Sequence, residues 1–258
     1  MIVTCVFHED RRPIEAHAGR AFEKVNHCTT HDDLWDRVSS DAVRTVVADL
    51  DVWPEGGSRE IMRRMEARRD PVALFLVHTL TPRALRELEF FARTDLDVRP
   101  AYRRYHCLEQ RLDQRGAGGV PCATMLILRR LVPRLGVDAA HLVVCSSVLG
   151  ERRTTWKLVA AALGLGVKNL RTKWKAAGLP KFERLMAKVR IAHAIYRMET
   201  FGVSTGEAAA CAGFSGQRSL ENYVKKHTDL TPHQLVEHGG FERVVREIEE
   251  WFPAPPGA

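Results

Sequence analysis

Residues 203–232 have the pattern of two short helices separated by a tight turn. Ser204 is the predicted N-cap of the first helix, and Gly213 is its predicted end, because glycine readily adopts the left-handed backbone that closes a helix. Phe214 supplies a large apolar side chain at the turn, and Ser215 is the predicted N-cap of the second helix. This spacing predicts a helix-turn-helix.

The second helix of this pair has one apolar stripe and one polar face. Leu220 and Val224 are four residues apart and therefore lie on the same side of a helix. The opposite side carries amide and cationic side chains, which suit the base edges and phosphates of DNA. The residues that we predict to contact DNA from this helix are Gln217, Arg218, Glu221, Asn222 and Lys225.

At these positions the sequence resembles the second helix-turn-helix of AraC-family transcription regulators. The family pattern is Ala-x-x-x-Gly-Phe-Ser, then an aromatic residue or Leu, an apolar residue four later, and Thr-Pro near the end. Asn222 stands where the family often has Arg, and Asp229 where it usually has Gly, although Asp tolerates a left-handed backbone. The matching residues are Ala209, Gly213, Phe214, Ser215, Leu220, Val224, Thr231 and Pro232.

The resemblance implies a first helix-turn-helix upstream, and the sequence has a matching pattern. A predicted helix at 155–164 is followed by a second one at 167–178, in which Leu170 and Trp174 face inward. Gly166 stands at the turn, where Ser is common in the family. The outward residues of this helix, also predicted to contact DNA, are Lys168, Asn169, Arg171, Thr172 and Lys175.

A continuous helical pattern joins the two units. Residues 181–198 would form a helix about 27 Å long, at about 1.5 Å per residue. With the helix corners added, the two DNA-contacting helices would lie about one DNA turn apart, or about 34 Å. A further helix is predicted at 138–149, with Asp138 as its N-cap. One chain is therefore expected to insert two helices into successive major grooves.

Positive charge is concentrated in the same half of the chain. Of the formal net charge of +7, residues 116–258 carry +8 and residues 1–115 carry −1. Between residues 152 and 190, eleven Lys and Arg residues accompany one acidic residue, which indicates phosphate contact. The amphipathic segment 241–251 is interpreted as a packing helix, and residues 253–258 as a disordered tail.

The first hundred residues alternate between strand and helix patterns. Central strands that are apolar on both faces predict a five-stranded parallel sheet covered by helices on both sides. Thr81 is the predicted cap of one helix, with Pro82 at its first position. The predicted strands are 2–7, 22–27, 43–50, 72–78 and 96–99. The predicted helices are 32–38, 58–69, 81–93 and 101–114.

This order resembles the receiver domain of two-component response regulators, which is a flavodoxin-like α/β fold. In that family two acids and a third carboxylate bind Mg²⁺, and the third carboxylate accepts a phosphoryl group. Here Arg99 replaces the family's Lys, the loop at 50–54 is one residue longer, and an overlong fourth strand misplaces Thr79. We therefore interpret the domain as receiver-like but independent of phosphorylation. The matching residues are Glu9, Asp10, Asp49 (or Asp51), Thr79, Arg99 and Pro100.

Together the patterns predict a receiver-like α/β domain followed by an all-α double helix-turn-helix domain. The predicted boundaries are 1–115 for the α/β domain, 116–136 for a linker and connecting helix, 137–252 for the DNA-binding domain and 253–258 for the tail. Asp49 is the candidate phosphoacceptor. Mg²⁺ is expected as a cofactor only if the domain accepts phosphate, with Glu9, Asp10 and Asp49 as its ligands.

Other classes of protein are disfavoured by what the sequence lacks. It has no apolar run of about 18 residues, no signal-peptide pattern and no CxxC pair. Its six cysteines are interpreted as buried free thiols of a cytoplasmic protein. Without a glycine-rich phosphate loop, a nucleophile elbow or a metal-ligand spacing, we expect it not to be an enzyme.

The sequence therefore predicts a cytoplasmic, sequence-specific transcription regulator that binds double-stranded DNA. Its amino-terminal domain is expected to receive a signal or to mediate dimerisation without phosphorylation. A homodimer and a contact with RNA polymerase are further partners that the resemblance allows. Two alternatives stay open: a phosphorylation-controlled response regulator, and an architectural DNA-binding protein without sequence preference.

Overall fold

The computed structural model of the 258-residue chain divides into two compact units, Met1–Met125 and Leu126–Ala258. The division falls inside 116–136, the segment predicted to link two domains. The residues that the structure describes are 1–6, 11–20, 24–39, 42–51, 54, 56–68, 72–79, 81–102, 122–150 and 154–253.

The first unit contains a five-stranded sheet in which all neighbouring strands are parallel, in the order β2-β1-β3-β4-β5. The side chains of the central strands β1, β3 and β4 are almost all buried, which is why their sequence is apolar on both faces. The predicted parallel sheet is thus confirmed. The strands are β1 (Ile2–Cys5), β2 (Val25–His27), β3 (Thr45–Asp49), β4 (Ala73–His78) and β5 (Val98–Tyr102).

Helices follow the strands along this unit. Thr30 and Thr81 cap α2 and α4, because their hydroxyls accept hydrogen bonds from the backbone N–H groups of Asp33 and Ala84. Pro82 occupies the first position of α4, as predicted. The helices are α1 (Arg11–Arg20), α2 (His31–Val38), α3 (Gly57–Glu66) and α4 (Pro82–Ala92).

One prediction in this unit is wrong, and one helix was not predicted. The fifth strand continues to Tyr102 instead of ending at residue 99, so Ala101 and Tyr102 do not begin a helix; the rest of the predicted helix at 101–114 lies outside the described residues. Pro100 is tolerated because β5 lies at the edge of the sheet. Helix α1 was not predicted, although Ile14 and Ala18, four residues apart, are its buried positions.

The second unit is helical. Pro133 lies in a short 3₁₀ turn at Val132–Arg134, directly after the first of its helices, because proline does not continue an α-helix. The helices are α5 (Ala123–Leu131, which spans the division between the units), α6 (Val137–Leu149), α7 (Trp156–Ala162), α8 (Val167–Ala176), α9 (Phe182–Phe201), α10 (Thr205–Cys211), α11 (Gln217–Thr228), α12 (Pro232–Glu237) and α13 (Gly240–Glu249).

Helix α9 is the centre of this unit. It is buried around most of its circumference because α6, α10, α11, α12 and α13 all pack against it. Its buried Lys188 pairs with Glu247 of α13, which compensates for the cost of removing the ammonium from water. Helix α13 buries one apolar face, so the prediction that this segment serves packing is confirmed.

Two predicted helix caps are wrong by one or two residues. Gly136, not Asp138, is the N-cap of α6. Asp138 lies in the first turn, where the positive end of the helix dipole stabilises its negative charge. Gly216, not Ser215, is the N-cap of α11. In both cases a nearby glycine takes the cap position, one residue from Ser215 and two residues from Asp138.

Candidate nucleic-acid interface

The second helix-turn-helix consists of α10, a turn and α11. Ser204 Oγ accepts a hydrogen bond from Glu207 N at 3.2 Å, and Glu207 Oε2 accepts one from Ser204 N at 2.8 Å, so the predicted cap is a complete capping box. The hydrogen bonds that Ser204 N and Ser204 Oγ donate to the Glu207 carboxylate, both at 2.8 Å, hold the pKa of Glu207 below its usual value. Gly213 has a φ of +67°, the left-handed conformation expected where α10 ends.

The two faces of α11 are divided as predicted. Leu220 and Val224 are fully buried, at 0% exposure. Of the predicted DNA-contacting residues, Gln217, Arg218, Asn222 and Lys225 are exposed, and Glu221 is partly exposed. Gln217 Nε2 donates a hydrogen bond to Glu221 Oε1 at 2.7 Å, a pairing one helical turn apart.

The end of α11 also agrees with the sequence. Asp229 is left-handed, with a φ of 59°, and closes α11 in a conformation that Asp tolerates better than most residues. Thr231 then caps α12 in a second capping box with Gln234, and Pro232 is the first residue of that helix.

Burial and the cationic side chains of Lys226 and Lys188 lower the pKa of His227, near the end of α11. The imidazole is therefore neutral around pH 7. The positive charge of this end of α11 comes from Lys225 and Lys226, both exposed.

The first helix-turn-helix is formed by α7 and α8. Thr155 Oγ1 caps α7 by accepting a hydrogen bond from Leu158 N at 3.3 Å. Leu170 and Trp174 of α8 are buried, as predicted. All five predicted DNA-contacting residues of α8 are exposed: Lys168, Asn169, Arg171, Thr172 and Lys175.

Three aromatic side chains from α7, α8 and α9 pack together beside this pair. The ring centroid of Trp156 lies 4.2 Å from that of Phe182 and 5.6 Å from that of Trp174. Trp174 Nε1 donates to Pro180 O at 2.7 Å, and Trp156 Nε1 donates to Glu183 Oε1 at 2.7 Å. Trp174 was predicted to face inward, but its partners were not predicted: Trp156, directly after a helix cap, and Phe182, at the start of the connector.

The connector is longer than predicted. Helix α9 has 20 residues, which at about 1.5 Å per residue gives about 30 Å. Gly202 closes it with a φ of +62°. A buried helix of this length is a rigid spacer, because bending it would break packing on several sides at once.

The cations on the predicted DNA-contacting faces are exposed, whereas other cations form the ion pairs that the structure describes in this unit. Arg171, for example, lies over the ring of Trp156 at 5.5 Å and presents its charge to solvent. Exposed cations of this kind are available for contact with an anionic partner such as phosphate. The paired cations are Arg130, Arg134, Lys188 and Arg243, bound to Glu242, Glu249 and Glu247.

In the first unit, the candidate phosphoacceptor Asp49 ends β3 and is fully buried, at 0% exposure. Its Oδ1 accepts a hydrogen bond from Asp51 N at 2.9 Å. Thr79 directly follows β4, and its misplacement relative to Asp49 stays a prediction. Its N–H and its hydroxyl both donate to Asp51, each at 2.9 Å. Asp51 is thus the carboxylate that binds Thr79.

Of the remaining residues matched to the receiver pattern, the structure describes Arg99 and Pro100, both in β5. Arg99 lies near the start of β5, level with Phe75, whereas Asp49 is level with Val77, two residues further along β4. The Arg99 guanidinium binds Asp97 at 3.0 Å and lies over the ring of Phe75. The Mg²⁺ candidates Glu9 and Asp10 lie outside the described residues. Among the residues that are described, no group of three or more potential ligands could hold a metal ion.

The cysteine prediction holds for three of the described thiols. Cys5, Cys28 and Cys145 are buried, but Cys122 is partly exposed and Cys211, on α10, is exposed. Burial raises the pKa of Cys145 to about 12, and burial together with the charge of Asp33 raises the pKa of Cys28 to about 12, so both thiols stay protonated. Cys107 lies outside the described residues.

In the part of the chain that the structure describes, none of the helices is both long enough and apolar enough to cross a membrane. Comparisons with models of known protein families, with curated proteins and with solved structures found no match for this chain. Its function must therefore be inferred from its own residues and their geometry.

Proposed function

We propose that this protein is a sequence-specific DNA-binding transcription regulator. Helices α8 and α11, the two recognition helices, would each enter a major groove. The amino-terminal α/β unit would receive a signal or mediate pairing of two chains, without depending on phosphorylation. A homodimer and a contact with RNA polymerase stay predictions of the resemblance to the AraC family.

One observation carries the proposal: both recognition helices bury an apolar pair and expose a polar, cationic face. In α8 the buried pair is Leu170 and Trp174, and in α11 it is Leu220 and Val224. Amides and guanidinium groups of the kind exposed there read base edges in the major groove, while lysines contact phosphates.

The connector supports binding to two adjacent sites. Helix α9 is about 30 Å long by its residue count, close to the repeat of about 34 Å between successive major grooves on one DNA face. A rigid spacer of this length favours one chain that contacts two grooves at once. An architectural protein without sequence preference would not need the exposed Gln217 and Asn222 amides, which suit adenine edges.

For the first unit, the strand order β2-β1-β3-β4-β5 is that of flavodoxin-like folds and supports the receiver-like assignment. Two observations favour independence from phosphorylation. The first is that Asp49 is fully buried, and the second is that both carboxylate oxygens of Asp51 accept hydrogen bonds from Thr79. Phosphoryl transfer needs an accessible carboxylate with its stabilising partners already positioned.

The first test concerns direct base contact by α11. We expect Gln217→Ala and Arg218→Ala each to weaken binding to the preferred site by about 1–3 kcal/mol and to relax base preference there. Lys225→Ala should weaken binding to preferred and random DNA alike, because a phosphate contact carries no sequence information. The measurement is titration of labelled duplexes at fixed salt, after selection of the preferred site from random DNA.

Arg246→Ala is the matched control for this test, because Arg246 is exposed on α13, outside both recognition helices. Arg246→Ala removes the same charge as Arg218→Ala and should leave base preference unchanged. Equal losses on preferred and random DNA for Gln217→Ala and Arg218→Ala would contradict base contact. Failure of the natural protein to select any sequence would contradict the proposed function and favour the architectural alternative.

The second test concerns phosphorylation. We expect Asp49→Asn to leave promoter output nearly unchanged, because the amide oxygen still accepts the hydrogen bond from Asp51 N and only the charge is lost. Incubation with Mg²⁺ and a small phosphoryl donor should add no phosphoryl group by mass spectrometry. Asp95→Asn, at an exposed position, is the control for loss of an acidic charge. A phosphorylated Asp49 together with loss of inducible output in Asp49→Asn would establish the response-regulator alternative instead.

A further inference from the structure

Arg190, on the connector α9, is a buried cation that contacts the turn of the second helix-turn-helix. Its side chain is 9% exposed. Nε donates a hydrogen bond to Ala212 O at 2.8 Å, and Nη2 donates one to Gly213 O at 2.6 Å. Ala212 is the C-cap of α10, and Gly213 is the left-handed residue that follows it. The guanidinium thus binds the carbonyl groups at the end of α10.

The same guanidinium also contacts the aromatic side chains on either side of the turn. Its central carbon lies 3.5 Å from the ring centroid of Phe214 and 5.6 Å from that of Tyr223 on α11. The Phe214 and Tyr223 rings lie 5.1 Å apart, edge to face. One side chain of α9 therefore touches the end of α10, the turn and the second recognition helix.

Arginine suits this position for chemical reasons. The last carbonyl groups of a helix lack partners within it and lie at its negative end, so they favour a cation that donates hydrogen bonds. A planar guanidinium donates two hydrogen bonds in its plane while its face stacks on an aromatic ring. A lysine ammonium supplies the charge but not the flat, two-pronged geometry.

The first recognition helix is attached to α9 differently. Its attachment consists of the packed rings of Trp156, Trp174 and Phe182, together with the hydrogen bonds that the two indole N–H groups donate. Phe182 and Arg190 are eight residues apart on α9, or about 12 Å along its axis. The two recognition helices thus have separate attachments to the same connector.

We propose that Arg190 is a positioning residue for DNA binding, which sets the orientation of α11 relative to α9 and so the fit of the second helix in its groove. The inference rests on the proposed function. Loss of the guanidinium would free α10 and α11 to turn as a pair about α9. The contact made by α8 would be retained, because its aromatic attachment does not involve Arg190.

The test uses the full chain with the variants Arg190→Met and Arg190→Lys. Arg184→Met is the matched control, since Arg184 lies on the same helix and stacks on an aromatic ring, with its guanidinium carbon 4.2 Å from the Trp251 centroid. Hydroxyl-radical footprinting on the preferred site measures protection of the DNA in each of the two grooves separately. Circular dichroism and thermal unfolding establish that each variant is folded.

We expect Arg190→Met and Arg190→Lys to bind the preferred site about tenfold more weakly, the equivalent of losing one good base contact. Protection should disappear in the half contacted by α11 and persist in the half contacted by α8. Arg184→Met should bind within about twofold of the natural protein. If Arg190→Met does not fold, Phe214→Leu removes the ring on which the guanidinium stacks and keeps the guanidinium hydrogen bonds to Ala212 O and Gly213 O. This variant should give a smaller loss confined to the same half.

The outcomes separate the two proposals. A natural protein that selects no sequence and gives no two-part footprint contradicts the proposed function itself. A natural protein that gives this footprint, with folded Arg190 or Phe214 variants that keep both halves, contradicts the positioning role alone. Equal weakening of both halves would also overturn it, because it would mean that Arg190 supports the whole unit and not one recognition helix.

Discussion

Proline in place of Ala192 should lower the free energy of unfolding of the second unit by about 3 kcal/mol or more. Ala192 lies near the middle of α9 and is fully buried, at 0% exposure. Its replacement removes a hydrogen bond within the helix and places the ring against the carbonyl of Lys188. Chemical denaturation followed by circular dichroism measures the loss.

The same variant tests whether the recognition helices bind DNA as a rigid pair. A kinked α9 changes the separation of α8 and α11, so we expect one half of the two-part footprint to disappear in protein that remains folded. Val137→Pro is the control: Val137 is 69% exposed at the first position of α6, where proline is well tolerated. A full-length footprint from folded Ala192→Pro protein would show that the two helices do not depend on a straight connector.

Replacement of Trp174 by alanine should cost about 3–5 kcal/mol of stability, as is usual for removing a large aromatic side chain from a core. Trp174 is 4% exposed, packs against Trp156 and Phe182, and donates its indole N–H to Pro180 O. Its loss leaves a cavity and an unpaired carbonyl where α8 meets α9. The midpoint of urea unfolding should fall accordingly.

Trp251→Ala is the matched comparison, because Trp251 is partly exposed and its removal leaves a smaller cavity. We expect a loss of about 1–2 kcal/mol there. Under the proposed function, the loss of DNA binding by Trp174→Ala should be confined to the half of the DNA site assigned to α8. A loss of stability no greater than that of Trp251→Ala would mean that the aromatic cluster does not hold α8 in place.

Much of the second helix-turn-helix is predictable from the sequence because its stabilising contacts are local. The capping box joins Ser204 to Glu207 across three residues, and the buried pair Leu220 and Val224 is four residues apart. Helix geometry converts these spacings directly into contacts. The left-handed residues Gly213 and Asp229 are likewise recognisable from their intrinsic backbone preferences.

The candidate site of the first unit was predictable only in part. The sequence indicates that polar residues follow β3 and β4, but not which carboxylate meets which hydroxyl. Thr79 and Asp51 are 28 residues apart, and their contact depends on the pairing of β3 with β4. Arg99 shows the same dependence, since the start of β5 at Val98 places it level with Phe75. A shift of two residues in a strand moves a side chain by about 7 Å.

By itself, the sequence determined the parallel α/β pattern, the positions of most helices and strands, and the faces of α8 and α11 that stay exposed. These follow from periodicity, caps and turns, which act within a few residues. Only the tertiary structure decided which distant groups meet: Arg190 with the carbonyls of Ala212 and Gly213, and Trp156 with Phe182. Such contacts depend on how whole helices pack against each other. The spacing of residues along one helix does not specify which other helix packs against it.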